Sequence, residues 1–411
     1  MNKKLMTLAV AGAFAAPAAA LAQSSNVQVF GTMYMEYAYA KQGVAGAPVV
    51  APGLDQINVD ILQSPGSEVG IKGEEALGGG MTAWFQCAST ADIRGGGGTA
   101  GFCSRNSAIG VKGRFGNAYV GNWDMPMKKT AGAARMLSDT GIWGVGRMLF
   151  GDSSTFANGG GAVGSSSNIS FSRRQNNSIF YDTPNFSGFQ GYFGISTTTQ
   201  SIAQTTTVSG AKPRVWGAAG TYTNGPLYVT LGYENHNNFS AAFGAGPGNA
   251  GAYSGNDTAW QAGVTYQFGP VKAGLLYVQR KYDMSANGLT DLKVNAWNVA
   301  GEWNIVGPHS LRGGYTRAQN TTGNAGAAGA FIVGNSAGGG LTANGGAGQT
   351  GGNIWQIQYV YNASKRTEFT VGYVNLNNDA LARYTLGGLQ SGGVAPGQNQ
   401  SAFAVSMKNT F

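Results

Sequence analysis

The sequence predicts an all-β fold, a transmembrane antiparallel β-barrel of about 16 strands, and three observations carry that reading. Apolar and polar residues alternate with period two over runs of about ten residues, as a strand requires when one face meets lipid and the other meets water. Beyond the N-terminal segment no continuous apolar stretch is long enough to cross a bilayer as a helix, so any crossing must be made by strands. The connections between the alternating runs are short and long in strict turn, as an up-and-down barrel requires.

Composition supports the first of these. Charged residues make up 11% of the chain, where a soluble domain carries about 25%. Gly accounts for 68 of 411 residues and aromatic side chains for 11%, a profile foreign to a helical soluble enzyme. The chain opens Met1-Asn2-Lys3-Lys4, runs through an alanine-rich apolar stretch over 5–20, and reaches Ala20-Leu21-Ala22 before the polar Gln23. That is a secretory signal peptide, residues 1–22, leaving a mature domain of 23–411. The rival, a membrane-anchoring helix, fits poorly because the stretch is short and built of small residues. Removing Lys3 and Lys4 lowers the formal charge of +8 by two, to +6. The basic residues are scattered, with no stripe or module for nucleic acid; a basic pore lining that favours anions suits them better.

Taken in order, the strands are read at 27–39, 58–73, 81–87, 103–113, 116–124, 176–185, 188–196, 215–223, 227–235, 258–268, 271–283, 291–305, 309–318, 353–362, 366–375 and 401–411. The pattern is cleanest where Trp260, Ala262, Val264, Tyr266 and Phe268 share one face and Gln261, Gly263, Thr265 and Gln267 the other. Trp355, Ile357, Tyr359 and Tyr361 repeat it, as do Leu227, Val229, Leu231 and Tyr233. Aromatic residues at strand ends suit the bilayer interfaces. Short turns fall at 74–80, 113–116, 185–188, 224–226, 269–270, 307–308 and 363–365. Longer polar segments fall at 40–56, 88–102, 125–168, 197–213, 236–256, 284–290, 319–352 and 376–400. Seven short and eight long connections in alternation leave sixteen strands with both termini on the short-turn side, and closure removes the strand edges that lipid cannot satisfy.

Cys87 and Cys103 are the only cysteines, in an exported chain and across a loop containing Gly95-Gly96-Gly97-Gly98, so they read as a disulfide closing that loop. With two cysteines and no histidine nearby, zinc is not indicated. No cofactor is expected.

The mature chain resembles the Gram-negative trimeric porins, in particular the beta-proteobacterial branch. The carriers are Val27-Gln28-Val29-Phe30-Gly31-Thr32, Gly70-Ile71-Lys72-Gly73-Glu74-Glu75-Ala76-Leu77-Gly78-Gly79-Gly80, Gly110-Val111-Lys112-Gly113-Arg114-Phe115-Gly116, the run Asn177-Ser178-Ile179-Phe180-Tyr181-Asp182-Thr183-Pro184-Asn185-Phe186-Ser187-Gly188-Phe189, and a last strand ending in Phe411. The resemblance implies a homotrimer in outer-membrane lipid, passing small hydrophilic solutes. It also implies recognition of Phe411 by the barrel-assembly machinery.

It further implies that the third long loop, 125–168, folds into the barrel and narrows it, so that solutes meet protein charge at close range. Lys128, Lys129, Arg135, Asp139, Arg147 and Asp152 lie in that loop, with Arg135, Asp139 and Arg147 as candidate constriction residues. On the facing wall the family places a ladder of arginines. Arg174 matches one position, and alternation sets it opposite in face to Ile179 and Tyr181, toward the lumen. Arg105 matches another, but strict alternation groups it with Ile109 and Val111, so a bulge or a different facing is required.

The chain also departs from the pattern: it reads Ser67-Glu68-Val69-Gly70 where Arg usually follows the serine, and Gly121-Asn122 where Gly-Arg is common. Two cations are lost and Glu68 adds an anion, which weakens the expected anion selectivity; Lys72, Lys272, Arg280 and Arg312 compensate if they face inward.

Catalysis has little support. His236 and His309 are the only histidines and fall at opposite barrel ends, and no Gly-rich run is followed by the Lys-Ser/Thr of a phosphate loop. The leading expectation is a passive diffusion channel, weakly anion-leaning. The alternatives are a substrate-specific channel for organic anions or sugars, and a secreted β-rich adhesion or structural protein.

Overall fold

The computed structural model describes residues 26–43, 56–95, 101–151, 170–197, 214–237, 256–283, 290–323, 331–332, 340–341, 349–380, 382, 384–389 and 397–411. The signal peptide, its cleavage site and Asp152 lie outside the described residues.

The strands are β1 (Asn26–Gly43), β2 (Gln56–Gln63), β3 (Glu68–Gly78), β4 (Met81–Thr90), β5 (Ser107–Gly113), β6 (Gly116–Asp124), β7 (Arg174–Asp182), β8 (Phe189–Ser196), β9 (Arg214–Asn224), β10 (Leu227–Asn237), β11 (Asn256–Phe268), β12 (Val271–Tyr282), β13 (Leu292–Val306), β14 (His309–Ala318), β15 (Phe331–Ile332), β16 (Gly340–Leu341), β17 (Gly352–Asn362), β18 (Thr367–Asn378) and β19 (Gln400–Thr410). Two helices, α1 (Pro126–Arg135) and α2 (Gly146–Phe150), separate β6 from β7. Each barrel strand pairs antiparallel with its neighbours, and β1 pairs with β19 to close the ring.

The barrel has sixteen staves. β15 and β16 form a hairpin of their own, and β2 and β3 are two halves of one stave lying along β1. In β1, Glu36 faces Gln63 while Thr32 faces Glu68, so the three residues 33–35 oppose the four residues 64–67. This is a bulge. Pro65 has no N–H to give the ladder, and Gly66 adopts φ +79°. The Ser67 hydroxyl replaces the missing partner, accepting from Tyr34 N at 2.8 Å and donating to Tyr34 O at 2.9 Å. The extra residue reverses the parity of the stave, so Leu62 and Val69, seven apart, both point outward.

The outward face is an apolar belt. Trp260, Val264, Tyr266, Phe268, Ile357, Tyr359, Phe403 and Val405 are all exposed, an arrangement that water penalises and a bilayer rewards. The inward face of the wall carries Gln261, Thr265, Asn298, Thr316, Gln356 and Gln358. Three short turns use one device, a glycine of positive φ followed by proline: Gly225 (+54°), Gly269 (+56°) and Gly307 (+55°) precede Pro226, Pro270 and Pro308. Only glycine enters that region without a Cβ penalty, and proline then holds the second position.

The ring is sealed at Gly31. Its N–H and C=O exchange 3.1 Å bonds with the O and N of Phe411, and a Cβ at Gly31 would stand 2.6 Å from the Phe411 ring.

The third long loop folds inward and packs its apolar residues against the wall to form the main buried core. After β6 the chain enters α1 with Pro126 in its first turn, where a missing N–H costs nothing. The wall receives the loop on a seat of inward-facing glycines in β8, β9, β10, β11 and β12. A Cβ would stand 3.2 Å from Pro126 at Gly194, 3.5 Å from Met125 at Gly217, 3.1 Å from Met127 at Gly232, 2.5 Å from Ala134 at Gly263 and 2.7 Å from Met136 at Gly274. Met127, Ala131, Ala134, Ile142, Met148, Leu149 and Phe150 are fully buried against Leu276, Val278, Leu292 and Val294. Polar tethers fix the loop: Gln261 Nε2 donates to Met127 O at 3.0 Å, Tyr228 Oη to Thr130 O at 2.8 Å, and Gln356 Nε2 to Trp143 O at 3.1 Å. Across the lumen, Ile142 N donates to Glu36 Oε1 of β1 at 2.6 Å.

Strand placement follows the sequence reading closely, with two instructive differences. β5 begins at Ser107 rather than 103, so Arg105 belongs to the connection and its facing is not bound by alternation. The final long segment also turns inward, which the sequence reading did not anticipate. Ala382, Tyr384, Leu386 and Leu389 are buried against the third loop, Gln63 Nε2 donates to Gly387 O at 3.0 Å, and Arg147 Nη1 donates to Thr385 Oγ1 at 2.9 Å.

Two variants test this architecture. Gly263→Leu forces bulk into the α1 seat, where overpacking costs about 1–3 kcal/mol; a lower melting temperature and larger single-channel conductance are expected as the loop lifts. Gly31→Val puts a branched side chain against Phe411 and should lower the yield of heat-stable barrel on a semi-native gel without changing the conductance of the barrels that form.

Candidate functional site

On the lumen side of β3 to β7 the wall carries charge, and α1 reaches it through Lys128 and Lys129. Five charged side chains meet there. Glu68, inward by alternation on β3, accepts from Arg105 Nε at 2.5 Å. Asp124, the last residue of β6, lies 3.0 Å from Lys128 Nζ in α1 and 3.4 Å from Arg174 Nη2, its register partner on β7. Asn106, the neighbour of Arg105 in the chain, binds both members of the Asp124–Arg174 pair, accepting from Arg174 Nε at 2.5 Å and donating to Asp124 Oδ2 at 3.0 Å. All five remain partly exposed.

Local geometry explains why they converge. β6 and β7 slip register between Gly121 and Trp123, and Asn177 takes φ +50°, so an irregularity just after Arg174 separates it from the regular alternation of Ser178 to Asp182. Arg105 is fixed by its backbone. Cys87 and Cys103 are bonded, with Cα atoms 4.8 Å apart, Cys103 N donates to Ser89 Oγ at 3.0 Å, and Arg105 N donates to Ala88 O at 2.9 Å. The disulfide thus anchors the segment that delivers Arg105 to Glu68.

The candidates inside the loop divide in two. Lys129 reaches the wall, donating to Asp182 Oδ2 at 2.6 Å and to Tyr119 Oη at 3.3 Å. Arg135 and Asp139 instead staple the loop to itself. The buried Arg135 donates from Nε to Leu137 O at 2.9 Å and lies 2.9 Å from Asp139 Oδ1, while Ser172 Oγ donates to Asp139 Oδ2 at 2.9 Å. Arg147 links this loop to the last one through Thr385.

Nearer the short turns a second set of charges lines the inward face. Lys112 pairs with Glu74 at 2.6 Å, Arg312 with Glu302 at 3.3 Å, and Lys408 with Glu368 at 3.3 Å. Lys72 lies over the Phe30 ring at 5.3 Å, and Lys272 stands on the inward face of β12. Arg280 also faces inward but is fully buried under the loop, donating to Met148 O. Lys112, Glu302, Glu368 and Lys408 were not singled out in the sequence, although parity on their strands would have found them.

The histidines are engaged apart from each other. His236 is buried, its Nε2 2.8 Å from Glu234 Oε1 and its ring stacked on Phe171, whereas His309 Nδ1 lies 2.6 Å from Tyr359 Oη beside a short turn. No group of three or more metal-ligating side chains converges among the described residues.

Three kinds of comparison bear on this lumen. The family model described as Gram-negative porin matches residues 7–381. Outer membrane porin protein 32 of Delftia acidovorans is 27% identical over 417 residues, covering 100% of both chains. Major outer membrane protein P.IB of Neisseria meningitidis serogroup A is 28% identical over 246 residues, 57% of this chain and 60% of that one. Among solved structures, the anion-selective porin from Comamonas acidovorans superposes with a TM-score of 0.70 at 23% identity, covering 94% of this chain and all of that one. The OmpT outer-membrane protein of Vibrio cholerae gives 0.59 at 14% identity over 94% of this chain. A closed barrel with an apolar outer belt and a charged, loop-narrowed lumen, matched by this family over most of its length, places the chain in the Gram-negative porins of the outer membrane.

Proposed function

We propose that the barrel is a passive channel for small hydrophilic solutes and ions, weakly anion-leaning, with no catalytic role, and that it works as a homotrimer in outer-membrane lipid. Export with removal of residues 1–22, and insertion by an assembly machinery that reads Phe411, belong to the same proposal. The seam position of Phe411 against Gly31 supports it, since the signal residue then completes the ring.

The observation that carries the selectivity is the charge balance of the inward wall. Among the described residues, Glu68, Glu74, Asp124, Asp182, Glu302 and Glu368 each have a cation within 3.4 Å. Lys72, Lys272 and Arg174 stand in excess of those six pairs, against Glu36, which is bonded to Tyr34, Gln63 and Ile142. Paired charges largely cancel at the distance of a passing ion, so a modest positive surplus remains. The Comamonas structure named anion-selective shares this fold. Glu68 is what makes the preference weak, because it sits on Arg105. The reading without catalysis is supported by the histidines, which are held apart, His236 on Glu234 and His309 on Tyr359, so that no histidine is bonded to a serine, threonine or cysteine in the contacts described above.

Purified protein in a planar bilayer under a KCl gradient tests this. The expected result is insertion in steps of three with a reversal potential favouring chloride. The preference should shrink as salt rises, because the screening length falls from about 10 Å at 0.1 M to about 3 Å at 1 M. Folded, membrane-extracted protein without conductance would refute the channel. Glu68→Arg should strengthen chloride preference and Arg174→Glu should turn the channel toward cations, both read as shifts in reversal potential. Replacing Cys87 and Cys103 by serine should move the reversal potential in the Arg174→Glu direction but less far, as Arg105 loses its anchor.

A further inference from the structure

Beside the charged cluster the lumen wall carries rings that simple diffusion does not require. Trp84 of β4, Tyr119 and Trp123 of β6 and Phe180 of β7 all point inward, opposite in face to the exposed Phe85, Val120 and Ile179. Their centroids lie 5.5 Å apart for Trp84 and Tyr119, 5.7 Å for Trp84 and Trp123, 5.5 Å for Tyr119 and Trp123, and 5.1 Å for Tyr119 and Phe180. β5 runs between Trp84 and Tyr119 and contributes glycine: a Cβ at Gly110 would stand 2.7 Å from Trp84 Nε1 and 2.6 Å from Tyr119 Cβ. The strand gives up a side chain so that the rings can meet.

Two of the four serve as core, Tyr119 being 3% and Phe180 2% exposed. Trp84 and Trp123 pack against that core, together with Met125 at the foot of the third loop, and remain only half-buried. The Trp84 N–H is committed to Asn117 Oδ1 at 2.7 Å, whereas the Trp123 N–H has no acceptor among the described residues. The next residue after Trp123 is Asp124, which holds Lys128 and Arg174. On the other flank Lys129 lies 4.7 Å over the Tyr192 ring and 5.6 Å over Tyr119. An accessible indole surface, an unused N–H donor and a rim of salt-bridged Lys128, Lys129 and Arg174 therefore occupy one patch of wall.

We propose that this patch is a binding subsite for planar aromatic carboxylates in transit, which rests on the channel reading above. The solute's ring lies against Trp84 and Trp123, where offset or edge-on contact between π-systems is favourable. Its carboxylate turns to the Trp123 N–H and to the Arg174 and Arg105 guanidinium groups, which accept a planar carboxylate in fork geometry. An aliphatic acid of the same charge and size keeps the second contact and loses the first. The chemistry selects planarity together with negative charge, and neither alone.

The test is block of chloride current by benzoate and by cyclohexanecarboxylate, two monocarboxylates of similar size of which only one is planar. In the wild-type protein benzoate should reduce the current saturably, at concentrations about threefold or more below those needed for cyclohexanecarboxylate. Trp123→Leu and Trp84→Leu should each erase that difference while KCl conductance stays within twofold of wild type. Equal block by the two acids in the wild type overturns the subsite whatever the variants do, as does a benzoate preference that survives in Trp123→Leu. Absence of KCl conductance in the wild type would instead refute the channel itself.

Discussion

Everything in this molecule depends on the backbone pairing of its first and last strands. In a bilayer core no water is present to satisfy an N–H or C=O, so a sheet that stopped short of closing would leave two rows of unpaired groups in hydrocarbon. β1 meets β19 over ten residue pairs from Thr32 to Lys41, and Gly31 and Phe411 add the final exchange. The constraint reaches into side-chain choice. Gly31 is bare because the terminal ring needs its space, and Ser67 lends its hydroxyl to the ladder where Pro65 and the extra residue interrupt it.

Once the wall is closed, its interior becomes the place to build a core, inverting the usual relation between sheet and packing. The bulk of the fully buried apolar side chains belong to a loop and to the wall it rests on, and the glycines at 194, 217, 232, 263 and 274 are cut to the outline of α1. The loop spans from that seat to Glu36 on β1 and is braced by the last long segment through Thr385 and Gly387. On the side of β3 to β7 the loop meets a charged wall through Lys128 and Lys129. Its charge is set by side chains held by partners on both sides, and pairing of that kind gives a lumen whose field is preorganised rather than averaged over mobile chains.

Much of the barrel was legible because lipid enforces a strict code. Period two, a turn after every strand and an aromatic end gave strand positions to within a few residues, as at 258–268 against β11 (Asn256–Phe268). The break within the second stave was not legible in detail, although Pro65-Gly66 stands where it occurs, because alternation on either side is intact and only register against β1 shows the added residue. Site residues followed parity where parity held. Glu68 and Lys72 share the inward face of β3, but Arg105 lies outside a strand and Arg174 is cut off from the rest of β7 by a bulge, so their placement depends on the Asn106 bridge and the disulfide. Arg135 and Asp139 look like channel charges in sequence and are loop staples in space. The inward turn of residues 382–389 carries no periodic signal, since its few apolar side chains are held by tertiary contact alone.

The tethering of the two inner segments also separates two properties of the passage. Glu36 and Gln356 hold the third long loop and Gln63 holds the last one. A substitution at any of these wall residues shifts the seating of an inner segment and leaves the charged cluster of β3 to β7 in place. Width and ion preference are therefore tunable at different positions of the same wall.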